Sequence, residues 1–197
     1  MTAIKLERLF CGALETSTPY FCAGLLRVED DLEVFKFEQI DFVDRAHAEL
    51  GIEKIQGLFA SANLEPRADL IVVGTGPGSY TGVRVAASLG LGLARVWKAG
   101  VVGVSTLEAI AATTDGIVAV SLDARRGNVY SAIYQVLNGR ILEVLSVVEK
   151  RVLKDFQALI PENAIELSDV APNPLALARL GLERFKRGET ELTLEYL

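Results

Sequence analysis

The chain has 197 residues and a formal charge of −6; half of its residues are apolar and 23% are charged. That is enough chain for one large domain or two small ones, and the composition lies well outside the disordered range. Phosphate contacts supply most nucleic-acid affinity, so an acidic chain without a long basic run argues against nucleic acid as the primary ligand.

Residues 9–14, LFCGAL, read as a short buried strand. The polar turn ETSTPY and a second apolar run, FCAGLLRV, make that strand the first half of a hairpin. DLEVFKFEQ alternates apolar and charged residues and is predicted as a third strand. Asp44 is placed to cap a helix over 44–62, where Ala48, Ile52, Ile55 and Phe59 keep helical spacing. DLIVVG, continuously apolar, reads as a strand covered on both faces. A glycine-rich turn follows, then a helix from Ser79 or Thr81 to Trp97, the strand GVVGVS and a short helix in STLEAIAA. IVAVSLDARRGNVYSAIYQV then reads as strand, polar turn, strand; ILEVLSVVEK is another strand and VLKDFQALI a helix. NPLALARLGLERFKRG is predicted as a last amphipathic helix, stopped at Gly188.

A hairpin whose first strand closes on an acid occurs twice, at Glu15 and again at Asp123. The repeat suggests a duplicated α/β architecture: an N-terminal lobe over 1–110 and a smaller one over 111–197, joined between Leu107 and Ile117. Cys11 and Cys22 sit in apolar surroundings and read as buried thiols of a reducing compartment. The opening MTAIKLERLF lacks an uninterrupted apolar core and a cleavage site, and no apolar stretch reads as a membrane span. A cytoplasmic protein is expected.

The stretch GTGPGSYTGVRVAASLGLGLA, residues 74–94, poses the central question. It has no lysine after its last loop glycine, so it is not a P-loop, and it misses the dinucleotide spacing by one residue. Gly82, Ala86, Gly90 and Ala94 recur every four residues and form a stripe nearly free of side chains, beside the apolar ridge Val85, Leu89, Leu93 and Val96. Glycine inside a helix costs about 1 kcal/mol against alanine, so a packing gain is expected. Either the stripe seats the helix on its own sheet, or it faces a helix of a partner chain.

Residues 74–94 resemble the signature GPGSFTGLRIG and small-residue helix of the bacterial tRNA threonylcarbamoyladenosine biosynthesis protein TsaB (YeaZ) family, with Tyr80 at the Phe position. LETST resembles that family's LDTST, with Glu15 for Asp, and RAHAE resembles its RxHSE, with Ala48 for Ser. GVSTLEAIA, LDARRGNVYSAIY and the closing LTLEYL are similar to further family segments, the last without its proline. The resemblance implies an actin-like, sugar-kinase-like (ASKHA) α/β fold of two related lobes, each with a mixed sheet flanked by helices. It implies a non-catalytic subunit that binds and activates the catalytic paralogue TsaD, together with the ATPase TsaE, in threonylcarbamoyl transfer to the adenosine beside the anticodon. ATP and metal then belong to partner subunits, and tRNA is met only within the complex. The two helices at 44–62 and 79–97 become the interface with the partner or with a second copy of the chain. On these helices the implied interface residues are Arg45, His47, Glu49, Ile52, Tyr80, Gly82, Arg84, Ala86, Leu89, Gly90, Leu93 and Ala94.

The alternative for such a fold is an ATP-dependent phosphotransferase of the sugar-kinase type. That chemistry needs glycine-rich hairpin turns, yet ETSTPY has no glycine and DARRGNV only Gly127. His47 is the single histidine, which leaves no His-x-x-x-His metal pair and only one candidate base for a serine triad. Ser17 and Ser79 stand in no nucleophile-elbow pattern, and neither cysteine has basic neighbours to lower its pKa. Arg125 and Arg126 form a compact basic spot, and Arg184, Lys186 and Arg187 another. These are either solvated charges or contacts to tRNA or an acidic partner.

Overall fold

The computed structural model describes residues 8–44 and 46–197. The first sheet contains β1 (Arg8–Glu15), β2 (Tyr20–Glu29), β3 (Leu32–Phe42), β4 (Leu70–Gly74) and β5 (Gly100–Val104), in the order β3-β2-β1-β4-β5. The second contains β6 (Gly116–Asp123), β7 (Asn128–Leu137), β8 (Arg140–Val152) and β9 (Ile165–Ser168), in the order β8-β7-β6-β9. In both, an antiparallel three-strand meander opens the sheet and a parallel strand adds beside its first member. Glu15 and Asp123 each close the first strand of their sheet, so the duplication read from the hairpins is present. The result is two related mixed sheets flanked by helices.

Helices α1 (His47–Ser61) and α2 (Tyr80–Trp97) cover one face of the first sheet. Phe59 of α1 sits edge-on to both Phe10 of β1 and Trp97 of α2, which ties the two helices to the strand between them. The other face is covered by α5 (Pro174–Lys186), whose Leu177, Leu180 and Leu182 share a core with Leu9, Leu26 and Val72. Every residue of β4 is therefore buried, as its unbroken apolar sequence requires. Asn173 caps α5 by accepting from the Ala176 amide at 2.8 Å, and Gly188 leaves the helix at φ +81°.

α3 (Thr106–Ala111) lies between the sheets. Its Ala109 points into the first core, while Leu107 and Ile110 enter the second with Val118, Val120 and Tyr134. On the far face of the second sheet, α4 (Leu153–Gln157) inserts Phe156 between Val129 and Ile133.

α5 follows the second sheet in sequence and packs on the first. One expectation changes, and one strand is added to the predicted set. Asp44 has φ +52° and does not cap α1, which opens at His47 behind Ala46 with no side-chain cap. β9, only four residues long, is not among the predicted strands.

Candidate partner interface

The glycine-rich loop joins β4 to α2 through Gly76, which takes φ +91°, a conformation side chains rarely adopt. The Ser79 side chain caps α2 by accepting from the Gly82 amide, while the Ser79 amide donates to the Ser17 carbonyl at 2.7 Å. The Thr106 amide donates to the Gly76 carbonyl at 2.7 Å, and the Thr16 hydroxyl to the Gly82 carbonyl at 2.7 Å. A Cβ on Gly78 would run into the Ser17 carbonyl, and one on Gly82 into that of Thr16. The glycines do let two backbones meet, and the second backbone is the turn after β1 of the same chain. The Ser79 and Gly82 amides are committed to that internal network.

The small-residue stripe packs within its own chain, Gly82 on the turn after β1 and Ala86, Gly90 and Ala94 on the first sheet. Gly82, Ala86, Gly90 and Ala94 are all buried, and a Cβ on Gly90 would lie 2.5 Å from Val73 Cγ2. The spacing specifies which face of α2 is buried; β4 and the turn after β1 supply what it is buried against.

The other expected interface residues divide in the same way. Arg45 lies outside the described residues. His47 is buried, with Nε2 2.8 Å from the Thr18 carbonyl, so it braces the turn after β1 and is not on the surface. Burial holds its imidazole below the usual histidine pKa. Leu93 is half-buried and packs into the cluster of Ile55, Leu58 and Phe59. Glu49, Ile52, Tyr80 and Arg84 are exposed and Leu89 half-exposed. A shallow groove of about 360 Å³ runs between the helices, lined by Ala48, Tyr80, Thr81, Arg84, Val85, Ser88 and Leu89. Its floor forms where Leu89 packs on Gly51, whose Cβ would lie 2.7 Å from Leu89 Cδ1.

Arg84 closes one end of this groove. Its guanidinium lies 3.8 Å over the Tyr80 ring, and Nε donates to the Tyr196 hydroxyl at 3.3 Å. The Tyr80 and Tyr196 rings are 5.2 Å apart. These contacts raise the Arg84 pKa, the bond to Tyr196 most of all. Ile52 of α1 and Tyr80 of α2 are 52% and 56% exposed, so the face combines exposed apolar, aromatic and cationic groups.

The hairpin acid Glu15 sits apart from this face and is fully buried. The Ser17 amide, the Ser17 hydroxyl and the Thr106 hydroxyl all donate to its carboxyl group. A Cβ on Gly74 would lie 2.6 Å from Glu15 Oε2, so the chain closes over the carboxyl group from that side too. Burial pushes its pKa up against those hydrogen bonds. Cys11 and Cys22 are buried and free; burial pushes the Cys11 thiol up to about 12 and Cys22 higher still. Among the described residues no group of three His, Cys, Asp or Glu is placed to hold a metal ion. No helix there is long and apolar enough to cross a membrane.

Arg125 and Arg126 are exposed at left-handed φ values of 65° and 56°, in the turn between β6 and β7. Asp123 Oδ1 fixes that turn by accepting from the Arg125 amide at 2.8 Å. Arg184 is not a free surface charge: it pairs with Glu108 at 2.6 Å and donates to the Gly103 carbonyl. Sequence reasoning missed Glu195 and Tyr196, the latter stacked at the mouth of the groove. The period-two pattern of LTLEY signals only that Leu192 and Leu194 turn inward and gives no sign of the contacts of their neighbours.

A family model described as TsaD, tRNA N6-adenosine threonylcarbamoyltransferase, matches residues 41–174. The chain is 33% identical over 138 residues to the tRNA threonylcarbamoyladenosine biosynthesis protein TsaB of Bacillus subtilis, covering 68% of this chain and 58% of that protein. It is 30% identical over 131 residues to the protein of the same description from Haemophilus influenzae, covering 64% and 53%. The chain thus spans between 53% and 58% of the length of these curated relatives. YeaZ from Pseudomonas aeruginosa superposes with a TM-score of 0.76 at 24% identity, over 96% of this chain and all of that one, a likeness of fold.

Proposed function

The chain belongs to the family described as TsaD, tRNA N6-adenosine threonylcarbamoyltransferase, in its TsaB/YeaZ group, and from that premise we propose that it serves tRNA threonylcarbamoyladenosine biosynthesis as a docking subunit. Its partner is a TsaD-type catalytic paralogue, with a TsaE-type ATPase joining the assembly. The face it offers is the exposed side of α1 and α2. The observation that carries this reading is the groove between these helices, where Val85 and Leu89 lie beside Tyr80 and Arg84, with Ile52 exposed on the same helix pair. Apolar and aromatic groups with an arginine at the edge are what protein interfaces select.

The treatment of the hairpin acid supports a non-catalytic role. A phosphotransferase of this fold needs that acid open to metal and phosphate, whereas Glu15 is enclosed and its carboxyl group hydrogen-bonded by its own chain. In this proposal ATP and metal are bound by the partner subunits, tRNA is met only in the complex, and the same face joins two copies when the partner is absent. Arg125 and Arg126, exposed on a fixed turn, are available to an anionic partner of the assembly.

Two measurements test this. Mass measurement of the chain mixed with the catalytic paralogue of its host is expected to show a stable complex, lost on Ile52→Arg. Calorimetry with Mg-ATP is expected to show no micromolar binding by the isolated chain. Micromolar binding there would favour the phosphotransferase.

A further inference from the structure

The segment after α5 crosses back over the first sheet. The Gly103 amide of β5 donates to the Glu191 carbonyl at 3.0 Å, and the Glu195 amide donates to the Thr75 carbonyl at 2.9 Å. Between these anchors Leu192 and Leu194 pack beside Ile71, Val73 and Ala94. The sheet fits closely under the segment. A Cβ on Gly76 would lie 3.2 Å from the Glu195 carbonyl, and one on Gly103 3.3 Å from that of Glu191.

Adjacent residues of this segment bind different parts of the molecule. Glu195 accepts from the Thr75 hydroxyl and the Ser105 hydroxyl, each at 3.4 Å. The ionisable groups that bear on it are Glu108 of α3, Arg184 of α5 and Tyr134 of β7. Arg184 is already paired with Glu108 and bonded to the Gly103 carbonyl, so among the described residues the side-chain bonds Glu195 receives are from hydroxyls. Burial first, and the charge of Glu108 second, push its pKa to about 7. Tyr196 is half-exposed, and its ring and hydroxyl meet Tyr80 and Arg84, two of the residues that line the α1/α2 groove.

We propose that residues 189–197 form a strap that builds one wall of the docking face, with Glu195 as its latch and Tyr196 as the residue it presents to the partner. The proposal rests on the reading of α1 and α2 as the docking face. The occupant is the catalytic paralogue, offering apolar side chains to Val85 and Leu89 and a carboxylate to the guanidinium that Tyr80 and Tyr196 hold. Docking on the seated strap stabilises it; release of the strap dismantles the Tyr80–Arg84–Tyr196 stack and weakens docking. The pH dependence follows from linkage. A carboxyl group whose pKa is raised in the seated state holds the strap best below the ordinary Glu value, and that hold declines as pH rises through about 7.

Hydrogen exchange on the full chain reads the latch through the Gly103 and Glu195 amides. Between pH 5.5 and pH 8, after correction for intrinsic rates, their opening equilibrium is expected to rise by about tenfold or more. In Glu195→Gln that rise is expected to vanish. Equal opening at both pH values, or the same rise in Glu195→Gln, overturns the latch. Calorimetric titration with the purified catalytic paralogue reads the wall. Tyr196→Ala is expected to weaken binding about tenfold and Ile52→Arg to abolish it. If Tyr196→Ala binds like the parent while Ile52→Arg does not, the strap proposal fails and the docking face stands. If both bind like the parent, or if the parent itself does not bind, the docking face fails and the strap's role there fails with it.

Discussion

Gly82 and Gly92 are the same residue type on the same helix and do different work. Gly82 is pressed against the Thr16 carbonyl, backbone on backbone, with no flexible side chain to move aside. Gly92 has nothing within 4 Å of its hypothetical Cβ. We expect Gly82→Ala to cost about 3 kcal/mol, as overpacking does, and Gly92→Ala to add about 0.5–1 kcal/mol through helix propensity. Urea denaturation of the two variants checks this; equal effects would mean that the approach of α2 to the turn after β1 is not a stabilising contact. Gly90→Leu, similarly, acts on the fold, since the new side chain must displace Val73. At this scale the sequence marked the right positions, because glycine in a helix interior demands a reason. It did not show the reason, since a four-residue spacing identifies a helix face without saying what lies against it. His47 illustrates the same limit: its proximity to a helix start said nothing of the Thr18 carbonyl that draws it inward.

Elements were legible where their pattern is long. The hairpins closing on Glu15 and Asp123 announced both sheets, since period-two runs around polar turns have few other solutions. β9 was not legible: Ile165–Ser168 is too short for a pattern, and only its parallel register on Val118–Ser121 makes it a strand. For α1 and α2, packing is separable from docking. Ile55, Leu58 and Phe59 hold α1 down, while Ile52 is more than half exposed. Ile52→Arg is therefore expected to change stability by less than about 0.5 kcal/mol while abolishing docking. Thermal denaturation beside a binding titration checks it. A large loss of stability would show that Ile52 belongs to the core, and its effect on docking would then say nothing about the face.

At the scale of the whole molecule, α5 decides the architecture. Its amphipathic pattern was plain, but which sheet it would cover was not, because one apolar face fits either. Arg184 fixes the outcome by joining α5 to Glu108 of α3 and to the Gly103 carbonyl of β5, which places the second lobe and the strap relative to the first sheet. Removing Arg184 leaves Glu108, only 15% exposed at its side chain, without its partner. Arg184→Ala is expected to cost about 3 kcal/mol, in one cooperative transition sensed from both sheets. Intrinsic fluorescence of Trp97 reports the first sheet and far-UV circular dichroism the whole; non-coincident curves would contradict the coupling. The claim on which the functional account stands is that the exposed side of α1 and α2 is a docking face. Native mass spectrometry of the chain mixed with the catalytic paralogue of its host tests it most directly. The account predicts a complex for the parent and for Gly92→Ala, and separate components for Ile52→Arg; an intact complex with Ile52→Arg would contradict it.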